Sequence, residues 1–505
     1  MANHDVSVNV EDEKKYEVHG LFAMPDLNDP DLGVARVEPR GRLVMRATYY
    51  DAPDLRLARE GITLRHRTGE GAPVWTLKLP AGGSAREELT LAGPGREVPQ
   101  ELRDLLIAWL RGAAPQPVAT LRTSRDVSVL LGPEEEELAE VVDDTVSVVQ
   151  GRRVVSRFRE VEVERRAPPS PEVTTALAAV GSRLVEAGAT RSAQLPKVVR
   201  ALGPRAVAPG ELPQPEAVGP NDHVGKLVTT SLRTGVRRML IADVGVRRGD
   251  DDAVHQMRVA CRRMRSDLKT FRPLVESLWA ESLRVELKWL ATALGDARDL
   301  EVLRLRLRDI GQRGSPIPYD MAALERLDQV LAGQEDAALA EAADALRSER
   351  YLRLVEVLLD AAREPVLTDA ANSRCSRALP PLVRGAWAAM AKRTRQLHAD
   401  DPDDTWHEAR LRAKQARYAA EAVLDVLGRP AARLADAAKA VQEVLGEHQD
   451  AALAAQKVAT LAGEHLDDGE LCLAAGRLVE ANRCAIADSR ARFPAVWKRA
   501  EKSGG

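Results

Sequence analysis

Two short stretches of this chain set cations at helical spacing. His255, Arg258, Arg262 and Arg265 follow one another at steps of three, four and three, and His407, Arg410, Lys414 and Arg417 repeat those steps. At about 3.6 residues per turn, each quartet falls on one narrow stripe of a helix. Lys269 carries the first stripe one turn further, while Met257, Cys261, Met264, Leu268 and Phe271 make the opposite, core-forming side. Asp267 is the only acid between His255 and Arg272. A solvated helix face ordinarily alternates its charges, whereas like charges on adjacent turns repel. Such a stripe costs stability unless a polyanion lies along it, and here there are two.

Acids and cations are arranged differently near the N-terminus. In Glu11-Asp12-Glu13-Lys14-Lys15, strand alternation puts Glu11, Glu13 and Lys15 on one face. In Glu160-Val161-Glu162-Val163-Glu164, the three carboxylates share one face and the valines take the other. If the first strand closes against the last, these carboxylates meet. Such a cluster needs a cation, because close like charges otherwise push protons onto some of its members. The middle strands supply the opposite sign. Arg65 and Arg67 share a face, Lys78 stands opposite Trp75 and Leu77, Arg86 precedes Glu87-Glu88, and Arg125 ends the run from Leu121. A channel with Arg and Lys on one wall and Glu on the other suits an oligophosphate bridged to carboxylates by hard divalent cations, and Mg2+ favours that oxygen-rich set. The chain has no GxSxG, HExxH or P-loop signature, and His4, His19 and His66 lack metal spacing.

These residues need two kinds of scaffold. Residues 1 to 166 alternate like strands over Val6–Val10, Arg42–Tyr50, Ile62–His66, Val74–Leu79, Glu137–Val142, Thr145–Val149 and Arg157–Arg165. Turn formers such as Gly69-Glu70-Gly71 and Gly82-Gly83 separate them. Two amphipathic helices are expected, over Pro99–Ala113 and Pro171–Gly188. The pattern is that of an antiparallel α+β domain, closed as a barrel. Pro204, Pro209, Pro213, Pro215 and Pro220 then mark an extended linker and a domain boundary. From Val224 onward the period is helical, with breaks near Gly249, Gly311–Pro318, Pro365, Asp400–Asp403 and Asp467–Gly469. About eight to ten helices in two related bundles are expected. Leu294-Gly295-Asp296-Ala297-Arg298-Asp299 follows the first stripe by nearly the interval at which Leu445-Gly446-Glu447-His448-Gln449-Asp450 follows the second. The helical half therefore reads as two copies of one unit, each giving a basic stripe to a shared surface.

Composition narrows the partners. A chain of 505 residues holds two to four domains. Its net charge of −3 makes any basic surface local, and an aromatic content of 3% argues against single-stranded nucleic-acid binding by base stacking. Cys261, Cys375, Cys472 and Cys484 have no CxxC spacing and read as small core residues in a reducing compartment. Met1 to Tyr16 is polar, and no apolar run approaches the ~18 residues of a membrane span. A cytoplasmic location is expected, with no nucleic-acid or membrane partner. Nothing specifies a protein partner.

Residues 3 to 203 resemble the CYTH family, the triphosphate tunnel metalloenzymes. The resemblance rests on Glu11-x-Glu13-x-Lys15, Tyr49-Tyr50-Asp51-Ala52-Pro53, Leu64-Arg65-x-Arg67, Trp75-Thr76-Leu77-Lys78, Arg86-x-Glu88, Arg125, Asp143 and Glu160-x-Glu162-x-Glu164, with Lys197 as the late lysine. It implies a closed tunnel of antiparallel strands and Mg2+- or Mn2+-dependent cleavage of a triphosphate. Glu11, Glu13, Asp143, Glu160, Glu162 and Glu164 would be the metal ligands, and Lys15, Arg65, Arg67, Lys78, Arg86, Arg125 and Lys197 the catalytic and phosphate-holding cations. Asp143-Asp144 leaves the aligned acid open between two neighbours. Residues 222 to 500, beyond a linker at 204–221, resemble the CHAD family of histidine-bearing α-helical domains through both stripes and both Leu-Gly segments. That resemblance implies tandem four-helix bundles and a basic groove for inorganic polyphosphate. The groove would be lined by His255, Arg258, Arg262, Arg265, Lys269, Arg298, His407, Arg410, Lys414, Arg417 and His448. Glu421 lies on the second stripe and limits its length, and Gln449 stands where the first copy has Arg298.

The expected function is a metal-dependent triphosphatase joined to a polyphosphate-binding domain. The alternatives are a tunnel that cyclises ATP or hydrolyses thiamine triphosphate, and a non-catalytic adaptor at polyphosphate granules.

Overall fold

Alternation in the first half is realised as one ten-stranded antiparallel sheet. Its strands are β1 Ser7–Glu11, β2 Glu13–Val18, β3 Arg36–Asp51, β4 Thr63–Thr68, β5 Val74–Pro80, β6 Arg86–Ala92, β7 Gln116–Leu131, β8 Glu137–Gln150, β9 Arg153–Arg165 and β10 Thr190–Arg191. They lie in the order β1-β6-β5-β4-β3-β7-β8-β9-β2-β10. β1 and β2 are consecutive in the chain, yet β1 pairs with β6 and β2 with β9 at the far end of that order. The sheet therefore curls closed. The structure, a computed structural model, describes residues 7–11, 13–80, 86–95, 97–192, 195–314 and 318–504. These divide into two compact units, Met1–Glu211 and Leu212–Gly505.

Five helices accompany the sheet: α1 Arg56–Arg59, α2 Gln100–Leu105, α3 Ile107–Leu110, α4 Pro171–Glu186 and α5 Lys197–Leu202. The valines of β9 do face away from its glutamates. Val161 and Val163 pack on Leu177, Val180 and Leu184 of α4. On the inward side, Tyr49, Leu121, Val146 and Val148 pack on Val198 and Val199 of α5. The segment expected as one helix over Pro99–Ala113 is two short ones, α2 and α3, meeting at Leu106. The two strands expected within 137–149 are one, because Asp143 and Asp144 do not break it. Each carboxylate meets an arginine on its own face, Arg159 and Arg125 respectively.

The second unit is helical throughout. Its helices are α6 Val224–Arg248, α7 Ala253–Thr270, α8 Ser277–Ala293, α9 Gly295–Gly314, α10 Pro318–Arg347, α11 Glu349–Arg363, α12 Cys375–Arg395, α13 Asp403–Glu421, α14 Leu424–Leu427, α15 Arg429–Glu464 and α16 Gly469–Gly504. Gly249 ends α6 in the left-handed region at φ 80°, a position that suits glycine. One bundle forms from α6, α7, α8 and α11, with Val236, Met257, Leu287 and Leu358 fully buried. A second forms from α12, α13, α15 and α16 around Trp406, Val441 and Phe493. The structure adds a third layer to the two expected bundles. Leu303 and Leu307 of α9 and Leu327 and Leu331 of α10 pack on Val458 and Leu461 of α15 and Leu478 of α16. α15 and α16 have 36 residues each against 21 in α12 and 19 in α13, so their far halves outrun the second bundle and need another apolar partner. No described helix is long and apolar enough to cross a membrane.

The proline-rich segment is tied down rather than loose. Arg59 donates to the Pro209 carbonyl at 2.9 Å, and Arg111 pairs with Glu211 within the first unit. In the second, Arg237 donates to the Leu212 carbonyl at 2.8 Å and Arg233 to that of Gln214 at 3.3 Å. The division between units falls inside the expected linker, between Glu211 and Leu212.

Candidate functional sites

Register decides which charged side chains meet inside the barrel. Across β2 and β9, Glu13 pairs with Glu164 and Lys15 with Glu162. Across β7, β8 and β9, Arg125 stands beside Asp144 and Asp144 beside Glu160. Across β4, β5 and β6, Thr63 stands beside Lys78 and Lys78 beside Glu88, with Arg65 and Arg67 on the same face as Thr63. The first residue of α5, Lys197, completes the set. Its ammonium lies 2.7 Å from Glu160 Oε1, 2.7 Å from Glu162 Oε1 and 3.0 Å from Asp144 Oδ2. Lys15 Nζ lies 2.6 Å from Glu162 Oε1 and 3.0 Å from Glu13. Arg125 grips Asp144 with a fork of 2.8 and 2.7 Å and reaches Glu162 at 3.2 Å. Lys78 pairs with Glu88 at 2.8 Å.

Burial alone would raise the carboxyls of Glu162 and Asp144. Lys197 and Arg125, joined by Lys15 at Glu162, outweigh it and hold both below the usual carboxylate range. Burial would likewise lower Lys197, but Glu162, Asp144 and Glu160 keep it well above its ordinary value. Glu164 is raised by burial, with Arg166 opposing and Glu140 and Glu13 adding to the rise. Asp144, Glu160 and Glu162 each bring a carboxylate oxygen within 4.8 Å of the others. Glu160 Oε1 is buried without a hydrogen bond, although the Lys197 ammonium stands 2.7 Å from it as an ion-pair partner. Three hard oxygen donors are a set that a small divalent cation takes, and here the Lys197 ammonium holds the place among them that such a cation would share or take over.

The barrel thus gathers Glu13, Lys15, Arg65, Arg67, Lys78, Arg125, Glu160, Glu162, Glu164 and Lys197 on its inward face. Asp143 is not among them. It faces outward, where Arg159 donates to it at 2.7 Å and also holds the Phe22 carbonyl at 2.7 Å. Its neighbour Asp144 takes the inward place, because successive strand residues point to opposite sides. The side chains of Glu11 and Arg86 lie outside the described residues, although their backbones are register partners. Sequence reading missed Arg200, one helical turn beyond Lys197. It lies 3.4 Å from Glu160 and 3.3 Å from Glu17, with its guanidinium 4.5 Å above the Phe158 ring. The i,i+3 spacing from Lys197 was the available signal.

In the second unit both stripes line one groove of about 1100 Å³. Arg263 pairs with Glu421 at 2.5 Å, and Gln415 donates to Thr270 at 3.0 Å. Numbering rises along α7 as it falls along α13, so the two copies cross antiparallel, as units related by a local two-fold axis. The Leu-Gly segments serve the same purpose in both. Arg258 donates to the Gly295 carbonyl at 2.8 Å and pairs with Asp299 at 3.0 Å, and Arg410 pairs with Asp450 at 3.1 Å. A Cβ at Gly295 would stand 3.9 Å from Arg258, and one at Gly446 would stand 3.8 Å from Arg410. Each guanidinium lies over bare helix backbone, with an aspartate one turn on to hold it.

Between these anchored arginines, Arg262 and Lys414 have no acidic partner among the described residues. Burial, then Arg410 and Arg262, push the Lys414 amine down to about 7. Burial, with Arg258 and Arg410, also depresses Arg262. His255, lowered by burial and by Arg298, lines the groove with His407, Arg298 and Arg417. His407 Nδ1 and Gln449 Oε1 are buried without hydrogen-bond partners. Arg417 and Arg263 share Glu421, which closes off the second stripe.

Three expected residues lie elsewhere. Arg265 projects on the flank of α7 away from Arg263, and Lys269 lies beyond the groove, where burial, Arg412 and Arg284 lower its amine. His448 is fully buried. Its ring stacks on Trp406 at 4.9 Å, and its Nε2 accepts from Arg490 at 3.1 Å. Burial and Arg490 push it down to about 4, so it is a neutral core residue. Arg306 and Lys457 were missed. They line the groove and follow Leu294 and Leu445 by equal intervals, a repeat signal present in the sequence.

The CYTH domain family matches residues 15–182 of this chain and the CHAD domain family residues 230–459. The uncharacterized protein MT2285 of Mycobacterium tuberculosis (strain CDC 1551 / Oshkosh) is 32% identical over 520 residues, spanning 98% of this chain and 97% of that protein. Among solved structures, PptA from Streptomyces chartreusis is 24% identical, covering 55% of this chain and 100% of its own, with a TM-score of 0.48. The CHAD domain from the plant Ricinus communis is 25% identical, covering 56% of this chain and 95% of its own, with a TM-score of 0.47.

Proposed function

We propose a two-part phosphate function for this chain, which belongs to the family that joins a CYTH domain to a CHAD domain. The first unit is a divalent-metal-dependent hydrolase of inorganic triphosphate or a related triphosphate. The second unit binds inorganic polyphosphate.

The observation that carries the reading is the inward triad Asp144, Glu160 and Glu162, set among Arg125, Lys15 and Lys197. The triad would hold Mg2+ or Mn2+, with Glu13 and Glu164 on the adjoining register positions. A metal ion there would neutralise phosphate oxygens and acidify a bound water. Arg65 and Arg67 would turn planar guanidiniums to phosphate oxygens and Lys78 a point charge, and Arg125 would join them as its fork leaves Asp144. Cations fixed before the reaction stabilise the charge of phosphoryl transfer without having to reorganise. In the groove, Arg262 and Lys414 sit among other cations, and the nearby acids Asp299 and Asp450 are paired with Arg258 and Arg410. A linear polyanion would supply that missing charge.

The test is phosphate release from tripolyphosphate, ATP and long-chain polyphosphate, with and without Mg2+ or Mn2+, and with product analysis by chromatography. Metal-dependent release of orthophosphate from tripolyphosphate supports the hydrolase. Cyclic nucleotide from ATP would replace hydrolysis with cyclisation. Tight binding without any release would make the tunnel a sensor and the protein a polyphosphate adaptor.

A further inference from the structure

Lys414 is an unusual amine for a groove lined with arginines. Arg258 and Arg262 face it from α7, Arg410 from its own helix, and Asp450 from α15. Asp450 is already engaged by Arg410 at 3.1 Å. Lys414 therefore has no counter-ion of its own, yet it remains partly open to the groove. Burial and the neighbouring guanidiniums bring its amine down to about 7. Near neutral pH a large fraction is then the free base, which is the nucleophilic form. An exposed lysine, with an ordinary value near 10.4, holds less than about one part in a thousand as free base at pH 7.

We propose that Lys414 is a site of direct acylation by acyl phosphates, with the groove arginines binding the phosphate and Lys414 supplying the amine. The proposal rests on reading the groove as a phosphate site. An acyl phosphate seated on Arg258, Arg262 and Arg410 brings its carbonyl carbon beside the Lys414 nitrogen, and attack proceeds from the fraction of that amine left unprotonated. The amine attacks that carbon, a C–N bond forms and the C–O bond to phosphorus breaks. Inorganic phosphate leaves with the electron pair, and the proton shed by nitrogen passes to it or to solvent. No oxidant or metal is needed. The amide is uncharged, so the groove loses one cation and its hold on polyphosphate weakens. Proximity to the bound phosphate favours this lysine, whereas Lys288 and Lys439 are exposed and do not line the groove.

The full chain is incubated with acetyl phosphate at pH 7.5, and acetylation at each lysine is followed by peptide mass spectrometry. Lys414 is expected to react at least ten-fold faster than Lys288 and Lys439, with a rate that saturates in acetyl phosphate and falls when tripolyphosphate competes. Acetic anhydride, which carries no phosphate, should show a smaller preference for Lys414. Equal rates at all three lysines would overturn the proposal. So would a preference that is the same with the anhydride or indifferent to tripolyphosphate. Polyphosphate affinity of the same preparation is measured separately. Retained binding without preferential acylation removes this proposal alone, whereas absent binding removes the groove reading with it.

Discussion

The barrel interior of the first unit and the groove of the second are both rich in cations, but their charges are balanced differently. In the barrel, Lys15, Lys78, Arg125 and Lys197 each lie within 3.0 Å of a carboxylate. In the groove, Arg262 and Lys414 have none, and the acids nearby are held by Arg258, Arg410 and Arg417. A phosphate can claim the barrel's cations only as their carboxylates find another positive partner, which is the place a divalent ion would take. The groove asks for an anion alone. One site should therefore couple metal to phosphate, while the other should respond to charge and salt.

Metal removal tests that contrast most severely. Chelation should abolish phosphate release and leave polyphosphate binding unchanged within about two-fold, since among the described residues the clustered carboxylates suited to a metal are those of the barrel. Equal loss of both activities would end the distinction. Glu162→Gln should reduce turnover by about 10²–10³-fold while circular dichroism reports a folded protein, because a preorganised charge is lost from the site. Undiminished turnover in the folded variant removes the triad from the mechanism. Lys78→Ala should cost about 10- to 100-fold on every triphosphate tested, the value of one charge-assisted contact that reads phosphate and no base. A loss confined to one nucleotide contradicts it. In the groove, Arg262→Glu and Lys414→Glu should each weaken long-chain polyphosphate about ten-fold, each acting within a Debye length of the bound chain. Binding should also fall steeply with salt, as counterion release requires. Duplex DNA bound as tightly at matched phosphate and salt would break the assignment.

The smallest effect is one of pH. Lys414 titrates near 7 in the fold against 10.5 ordinarily. Between those values the unfolded chain holds a proton that the folded chain does not, so this residue makes stability rise with pH across that window. Polyphosphate reverses the preference by favouring the ammonium. Binding should take up a proton above pH 7, and affinity should decline as pH rises, by at most ten-fold per unit. Lys414→Met should flatten both profiles. Unchanged slopes, measured by thermal unfolding and by titration, would assign the effect elsewhere.

The patterns legible in the sequence were the local ones. Period two on β9 placed Glu160, Glu162 and Glu164 together, and period 3.6 on α7 and α13 placed Arg258, Arg262, Arg410 and Lys414 together. Asp143 and Asp144 could not be told apart in this way. Both faces of β8 offer an arginine at that point, and only the pairing with β7 shows which one is inside. His448 shares its segment with groove residues, but its burial against Trp406 depends on how α13 and α15 pack. Arg265 fits the stripe and yet leaves the groove, because the crossing of α7 with α13 selects the flank bearing Arg263. The third helical layer follows from helix lengths that no single turn of sequence reveals.

The antiparallel crossing of α7 and α13 has one more consequence. Arg258 and Arg262 on one helix are answered by Lys414 and Arg410 on the other, so a strand entering from either mouth meets cations in the same order. A strand of nucleic acid has distinct 5′ and 3′ ends and cannot be reversed without changing what it presents. Inorganic polyphosphate can, since its anhydride backbone carries identical atoms read from either terminus. The duplicated groove and that polymer share one approximate symmetry, so the repeated cations by themselves give no direction. The match is incomplete: Arg298 in the first copy gives way to Gln449 in the second, and Lys269 to Glu421.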